Sequence, residues 1–344
     1  MGIPYVLLIL FGNPVLSKEA ILFLTIPIYL LIYRYSNLTT FLLKKFFILA
    51  VFTYSMTLLA VKSIKIIVYG FSDFFQQEQW WNQVLYKNFT LELNAHPTYV
   101  AMFIITSLVM LLDQSAQSKK YFSMIKDTLI QAILLFVLFL LVVKISFVAI
   151  FLILIVYIFF LLYKNKVKLA VLSILFLLLA GATLYNIPGV RHRLQMNFNS
   201  FEPSYTNLYG QNRLSERTAL WAASLIQIKH NPIIGSSFQG VPSSAIIYPE
   251  VKSRYPELEH PKNCHNNFLE FGVRYGILGM GLFLLFTILF LMQGLKNISF
   301  EILGVWVWIF TFSLTESFMF REQGISLVAI LIAIFAIQLY GKDI

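Results

Sequence analysis

The residues best suited to chemistry lie between Gln211 and Gly279. Arg213, Arg217, Trp221 and Ser224 recur at intervals of three or four, the spacing that sets side chains on one side of a helix. Two guanidiniums there offer a bidentate site for phosphate or pyrophosphate. The same helix at a membrane interface would present its arginines to lipid headgroups, and spacing alone leaves both readings open. His265 stands in Cys264-His265-Asn266-Asn267-Phe268-Leu269-Glu270, where a helix begins. The dipole at a helix start favours a neutral imidazole, which can take a proton from a hydroxyl nucleophile. A capping or packing histidine has the same sequence signature.

Other chemistries find less support. His260, Cys264 and His265 are irregularly spaced for zinc, with no second ligand pair nearby. The chain has no Walker A loop, dinucleotide glycine fingerprint, Gly-x-Ser-x-Gly elbow or Asp-x-Asp pair. Neither a cofactor nor a metal is therefore expected. Cys264 is the single cysteine, which excludes an internal disulfide.

The elements that must position these residues are membrane helices. Of 344 residues 58% are hydrophobic and 12% charged, and the mean hydropathy is +0.76. A soluble domain is about half apolar and about a quarter charged. The apolar runs are continuous, unlike the alternating strands of a barrel. The expected class is an all-α, polytopic transmembrane helical bundle. No cleavable signal peptide is expected at the start. The net charge of +10 reads first as cytoplasmic loop anchors and then as attraction for an anionic ligand, with no nucleic-acid partner.

Spans are expected at 20–34, 45–61, 97–112, 169–185, 276–293, 302–316 and 324–340, with a short apolar piece at 3–12. A single helix over 128–163 would be about 54 Å long against a hydrocarbon core of about 30 Å. Two spans are expected there, with a tight turn at Lys144-Ile145-Ser146. The total is about ten spans. The chain divides into an N-terminal bundle, 1–185, a long polar loop, 186–275, and C-terminal helices, 276–344. Short basic loops at Arg34/Lys44/Lys45, Lys119/Lys120/Lys126, Lys164/Lys166/Lys168 and Lys296 share one side, which is then cytoplasmic. His96, Lys144, the long loop, Glu316 and Arg321 fall on the other. Lys144 reads as a snorkelling anchor or as a further cation for an anionic donor. His96 reads as a cap for the span at Pro97 or as part of a cleft. Glu316 and Arg321 read as partners of each other. Ser215 is placed to cap a helix over ERTALWAASLIQIK, which Asn231-Pro232 and Gly235 end. The glycines at 272, 276, 279 and 281 invite close helix approach.

Arg217-x-x-x-Trp221, Asn231-Pro232-Ile233-Ile234-Gly235, His265-Asn266-Asn267-Phe268-Leu269 and Gly276-Ile277-Leu278-Gly279 resemble, in that order, the O-antigen ligase and O-antigen polymerase family of bacterial inner-membrane proteins. The resemblance is firm over about 211–282 and looser at HPTY, 96–99, and at TESFMFREQG. It implies a fold like that of C-type glycosyltransferases, with one long periplasmic loop. It further implies action on glycans carried by undecaprenyl pyrophosphate, without nucleotide sugar or metal. By motif, His265 resembles the histidine that activates the acceptor hydroxyl, and Arg217 an arginine that binds the donor pyrophosphate, with Arg213 a second. Lys144 stands where many members have an arginine, and lysine lacks the planar fork.

The expected reaction moves a glycan from undecaprenyl pyrophosphate to a lipid A-core hydroxyl at the periplasmic face. Arg217 with Arg213, and with Lys144 or Arg321, would neutralise the leaving group, while His265 takes the acceptor proton and the anomeric carbon inverts. Trp221 and His96 complete the candidate binding residues. A polymerase, with a lipid-linked glycan as acceptor, uses the same donor. A non-enzymatic lipid or glycan transporter would instead carry ionisable groups deep in its spans and a repeated layout.

Overall fold

A computed structural model describes residues 40–70, 84–117, 121–175, 216–236, 242–254 and 262–340. Among them every regular element is helical, without strands. The nine principal helices of this region are α1 (Thr40–Tyr69), α2 (Pro97–Gln117), α3 (Tyr121–Leu141), α4 (Lys144–Tyr163), α5 (Glu216–His230), α6 (Ser243–Arg254), α7 (Asn267–Lys296), α8 (Phe300–Ser313) and α9 (Glu322–Tyr340). Of these, α1, α2, α4 and α7 are long and apolar enough to cross a membrane, and α8 and α9 are shorter apolar helices. The spans expected at 3–12 and 20–34 lie outside the described residues; of the span expected at 169–185, residues 169–175 are helical and 176–185 lie outside, as do residues 186–215 of the loop.

The chain forms two compact units. The first holds the described residues within 33–194, 294–308 and 334–344. Here α2 is buried round most of its circumference and packs against α1, α3 and α4. α1 buries one stripe, Ile48, Val51, Ser55, Leu58 and Lys62. α4 does the same with Ser146, Ala149, Ile153, Tyr157 and Leu161. Both helices are apolar all round, so periodicity of hydrophobicity does not choose the buried face. Shape and hydrogen bonding do, as expected where lipid is as apolar as the core. Gly304 lets the start of α8 approach Val109 of α2, and a Cβ there would lie 2.9 Å from the valine Cγ1. Phe300 rests on Tyr157, ring centroids 4.8 Å apart.

Charge closes this unit at its helix ends. Lys44 pairs with the buried Glu301 and donates to Gln338 Oε1 at 3.0 Å. Lys62 and Lys65 both reach Glu92, at 2.7 and 3.0 Å. Burial opposes the charge of Glu92, but the two lysine hydrogen bonds outweigh it and hold its pKa below the usual carboxylate range. That double pairing explains why α1 runs on to Tyr69, past the end expected near residue 61.

The break inside 128–163 falls two residues before the expected turn. Val142 takes a left-handed φ of 43°, and Lys144-Ile145-Ser146 form the first turn of α4 rather than the loop. Ser146 explains the shift. Its N–H donates to Val143 O at 3.0 Å, and its hydroxyl returns to the same carbonyl.

The second unit holds the described residues within 195–293 and 309–333. α5 and α6 pack over a core of Leu220, Ala223, Ile228, Ile247, Val251 and Val273. Phe271 stacks on Phe283 at 4.8 Å and meets Phe320 edge-on at 4.7 Å. The expected helix from His265 into the membrane is two helices joined at a kink. Gly276, at φ 66° and ψ −163°, breaks α7. The turn after α5 fills the break, and Ile277 N–H donates to Pro232 O at 2.7 Å. A Cβ on Gly276 would lie 2.3 Å from Ile233 O, and one on Gly235 2.5 Å from the backbone of Arg274. Gly272 admits Ile228 of α5, whereas nothing lies within 4 Å of a Cβ at Gly281. Of the four glycines expected to serve close approach, 272 and 276 receive α5 or its following turn, 279 faces Tyr275 of its own helix, and 281 faces open space.

Candidate active site

His265 sits two residues before α7, with a left-handed φ of 48°. That conformation is uncommon outside glycine and costs free energy unless the surroundings enforce it. Here four polar neighbours do. Asn263 Oδ1 accepts the His265 N–H at 3.3 Å. Cys264 N–H donates to Glu270 Oε2 at 3.1 Å. Asn266 N–H donates to Ser317 Oγ at 3.2 Å, and its amide reaches Leu314 O at 3.2 Å. Its Oδ1 caps the helix by accepting Leu269 N–H at 3.1 Å. Asn267, fully buried, donates to Ser313 Oγ and accepts from Met319 N–H, both at 3.1 Å. The two asparagines after the histidine thus staple the start of α7 to the turn that follows α8.

Glu270 is the second fastening. It is buried, accepts from Ser243 Oγ at the start of α6, and takes Arg274 Nε at 3.0 Å. Arg274 in turn lies over the Phe320 ring at 4.4 Å. Burial first, and then the adjacent Glu270 charge, push the Cys264 thiol well above its ordinary pKa. This cysteine is a packed core group.

The turn that these asparagines hold carries Glu316. One carboxylate oxygen lies 3.2 Å from Arg217 Nη2, and the other 3.4 Å from His265 Nδ1. Glu316 was expected to pair with Arg321. Instead it joins the histidine to the arginine. Arg321 is exposed, opens α9, and accepts Ile325 N–H through its carbonyl. A carboxylate at Nδ1 favours the tautomer protonated there and leaves the Nε2 lone pair for a hydroxyl. Arg217 is half-exposed, and such a surface pair contributes about 0.2–1 kcal/mol to stability. That is too little to explain the arrangement as a fold determinant.

α5 is described from Glu216 and ends at His230, before the Asn231-Pro232 expected to stop it; Ser215, its expected cap, lies outside the described residues. Trp221 follows Arg217 by one turn. Among the described residues its indole N–H is buried without a hydrogen-bond partner, as is Thr315 Oγ1 beside Glu316. Buried polar groups are nearly always paired, so two orphans in this cluster stand out. Arg213 and His260 lie outside the described residues. Lys144 and His96 belong to the other unit. His96 is a cap there, its Nδ1 accepting Thr98 N–H at 3.4 Å. Lys144 is exposed in the first turn of α4. An apolar cavity of about 360 Å³ among α2, α3 and α4 is lined by none of the candidate site residues.

The helices and the cluster describe a membrane protein with a histidine–carboxylate–arginine site. Residues 129–284 match the family model described as O-Antigen ligase. The family that the motifs resemble is thus the family that the match finds. The match covers less than half of the chain, and the family it describes is one of ligases. The matched stretch takes in Lys144, Arg217, Trp221 and His265 and ends before Glu316 and Arg321. No curated protein matches the chain.

Proposed function

We propose that this protein is a glycan ligase of the inner membrane, with its active face periplasmic. It moves a glycan from undecaprenyl pyrophosphate to a sugar hydroxyl of lipid A-core. The observation that carries this reading is Glu316 bridging His265 and Arg217, the latter two within the family-matched stretch. Nε2 of His265 accepts the proton of the acceptor hydroxyl as its oxygen attacks the anomeric carbon. The bond from that carbon to the phosphate oxygen breaks, and undecaprenyl pyrophosphate leaves. Arg217, with Arg213 and Arg321 as further cations, stabilises the charge that grows on the departing pyrophosphate. One displacement inverts the anomeric centre, and no metal is required.

The test is deletion of the gene, complemented by wild type or by His265→Ala. Surface lipopolysaccharide and the lipid-carrier pool are then examined. A ligase leaves polymer on the carrier and bare lipid A-core in the deletion and in His265→Ala, with wild type restoring transfer. Cores bearing one repeat unit without a ladder would identify a polymerase instead. Full transfer by both His265→Ala and Arg217→Ala at normal protein levels would remove the mechanism. Movement of labelled lipid-linked glycan across liposomes without a new bond would identify a transporter.

A further inference from the structure

The break at Gly276 sets a length. From Ile277 to Lys296, α7 runs about twenty residues, roughly 30 Å, the thickness of a bilayer's hydrocarbon core. Leu278, Leu285, Ile288, Met292 and Leu295 are exposed and recur at helical spacing along this part, which makes them a lipid-facing stripe. With Lys296 at one membrane boundary, Ile277 and Leu278 stand at the other.

A second segment meets the helix at that height. Ile277 N–H donates to Pro232 O at 2.7 Å, and Leu278 N–H to Ile233 O at 3.4 Å. The side chains of Ile233 and Ile234 point away from the unit, 65% and 52% exposed. Lys229 and His230, in the turn just before them, are exposed as well. Two bare isoleucines in a four-residue turn are unusual in water, and here they continue a lipid-facing stripe.

We propose that the turn Pro232–Gly235 is a membrane anchor seated in the boundary between headgroups and acyl chains. Ile233 and Ile234 enter the hydrocarbon, and Lys229 meets lipid phosphate, the arrangement of an interfacial amphipathic segment. The occupant of this surface is the phospholipid leaflet itself. The anchor pins the end of α5 opposite to Arg217, and so fixes the height of the arginine above the bilayer. It rests on α7 crossing the membrane and holds whether or not His265 is the base.

The full-length Ile234→Cys protein, labelled with an environment-sensitive fluorophore, tests this in phospholipid nanodiscs. Cys264 is fully buried, so the label goes to the new thiol, and Ile233→Cys supplies an independent site. Ile288→Cys marks the depth of the span. The expected result is stronger quenching of positions 233 and 234 by a nitroxide near the lipid headgroup than by one at the chain end, with the reverse order at 288. Quenching chiefly by aqueous iodide would place the turn in water and overturn the proposal. A label shielded from iodide and from both lipids would place a protein there and overturn it equally. Strongest quenching by the chain-end nitroxide would overturn the boundary placement.

Discussion

The Glu316 carboxylate lies 3.4 Å from Nδ1 of His265, across a separation of 51 residues in sequence. Its other oxygen holds Arg217, 99 residues away. One acid thus orients the proposed base and the proposed cation together. Glu316→Gln keeps the shape but loses the charge that orders both. Transfer should fall by about tenfold to a hundredfold, less than the roughly 10²–10⁴-fold expected from removing the base in His265→Ala. Membrane insertion and Tm should stay normal in Glu316→Gln, which single-turnover transfer beside a thermal-shift assay would check. An unchanged rate would separate Glu316 from the chemistry.

Arg217→Lys keeps the charge and loses the planar fork. A hydrogen bond to a charged group contributes about 1.5–3 kcal/mol, so a loss of roughly tenfold to a hundredfold is expected. Because the pair with Glu316 is half-exposed, stability should move by less than about 1 kcal/mol. Transfer and thermal unfolding, measured on one preparation, test both halves of this expectation.

Gly276→Ala forces a Cβ to within 2.3 Å of Ile233 O at a left-handed φ. Backbone strain alone costs about 1–3 kcal/mol, and the contact adds to it. Gly281→Ala places its methyl in open space and should be neutral, or stabilising by up to about 1 kcal/mol through helix propensity. Midpoints of unfolding in detergent should separate the two variants.

Glu301 is almost fully buried, and Lys44 is its ion-pair partner. Lys44→Met removes the cation and leaves the carboxylate uncompensated, at a cost of about 3–5 kcal/mol. The double variant Lys44→Met/Glu301→Gln should recover most of that loss. A double-mutant cycle on thermal stability measures the coupling.

The Cys264 thiol has its pKa raised by burial and by Glu270. A raised pKa means less thiolate at any given pH, so alkylation of the native protein should be slow near neutral pH and become rapid on denaturation. Mass spectrometry of maleimide-treated protein reads both states. Fast native labelling would contradict the packing around Glu270.

The sequence by itself determined the class, the end of α5 and the need for a break within 128–163. It also singled out His265 and Arg217 through motifs that resemble one family. These are local properties: composition, apolar run length and caps act within a turn or two of the residue that carries them. The choice of Val142 over Lys144 for the break lay in one serine hydroxyl, which run length does not register. The tertiary structure alone decided that Glu316 serves His265 and Arg217 rather than Arg321. It alone brought Gly235 and Gly276 into backbone contact and tied Asn267 to Ser313. Those pairs join segments tens of residues apart, and in helices that are apolar all round no periodic signal says which faces will meet. Packing shape and a few buried hydrogen bonds make that choice, and they exist only once the helices are side by side.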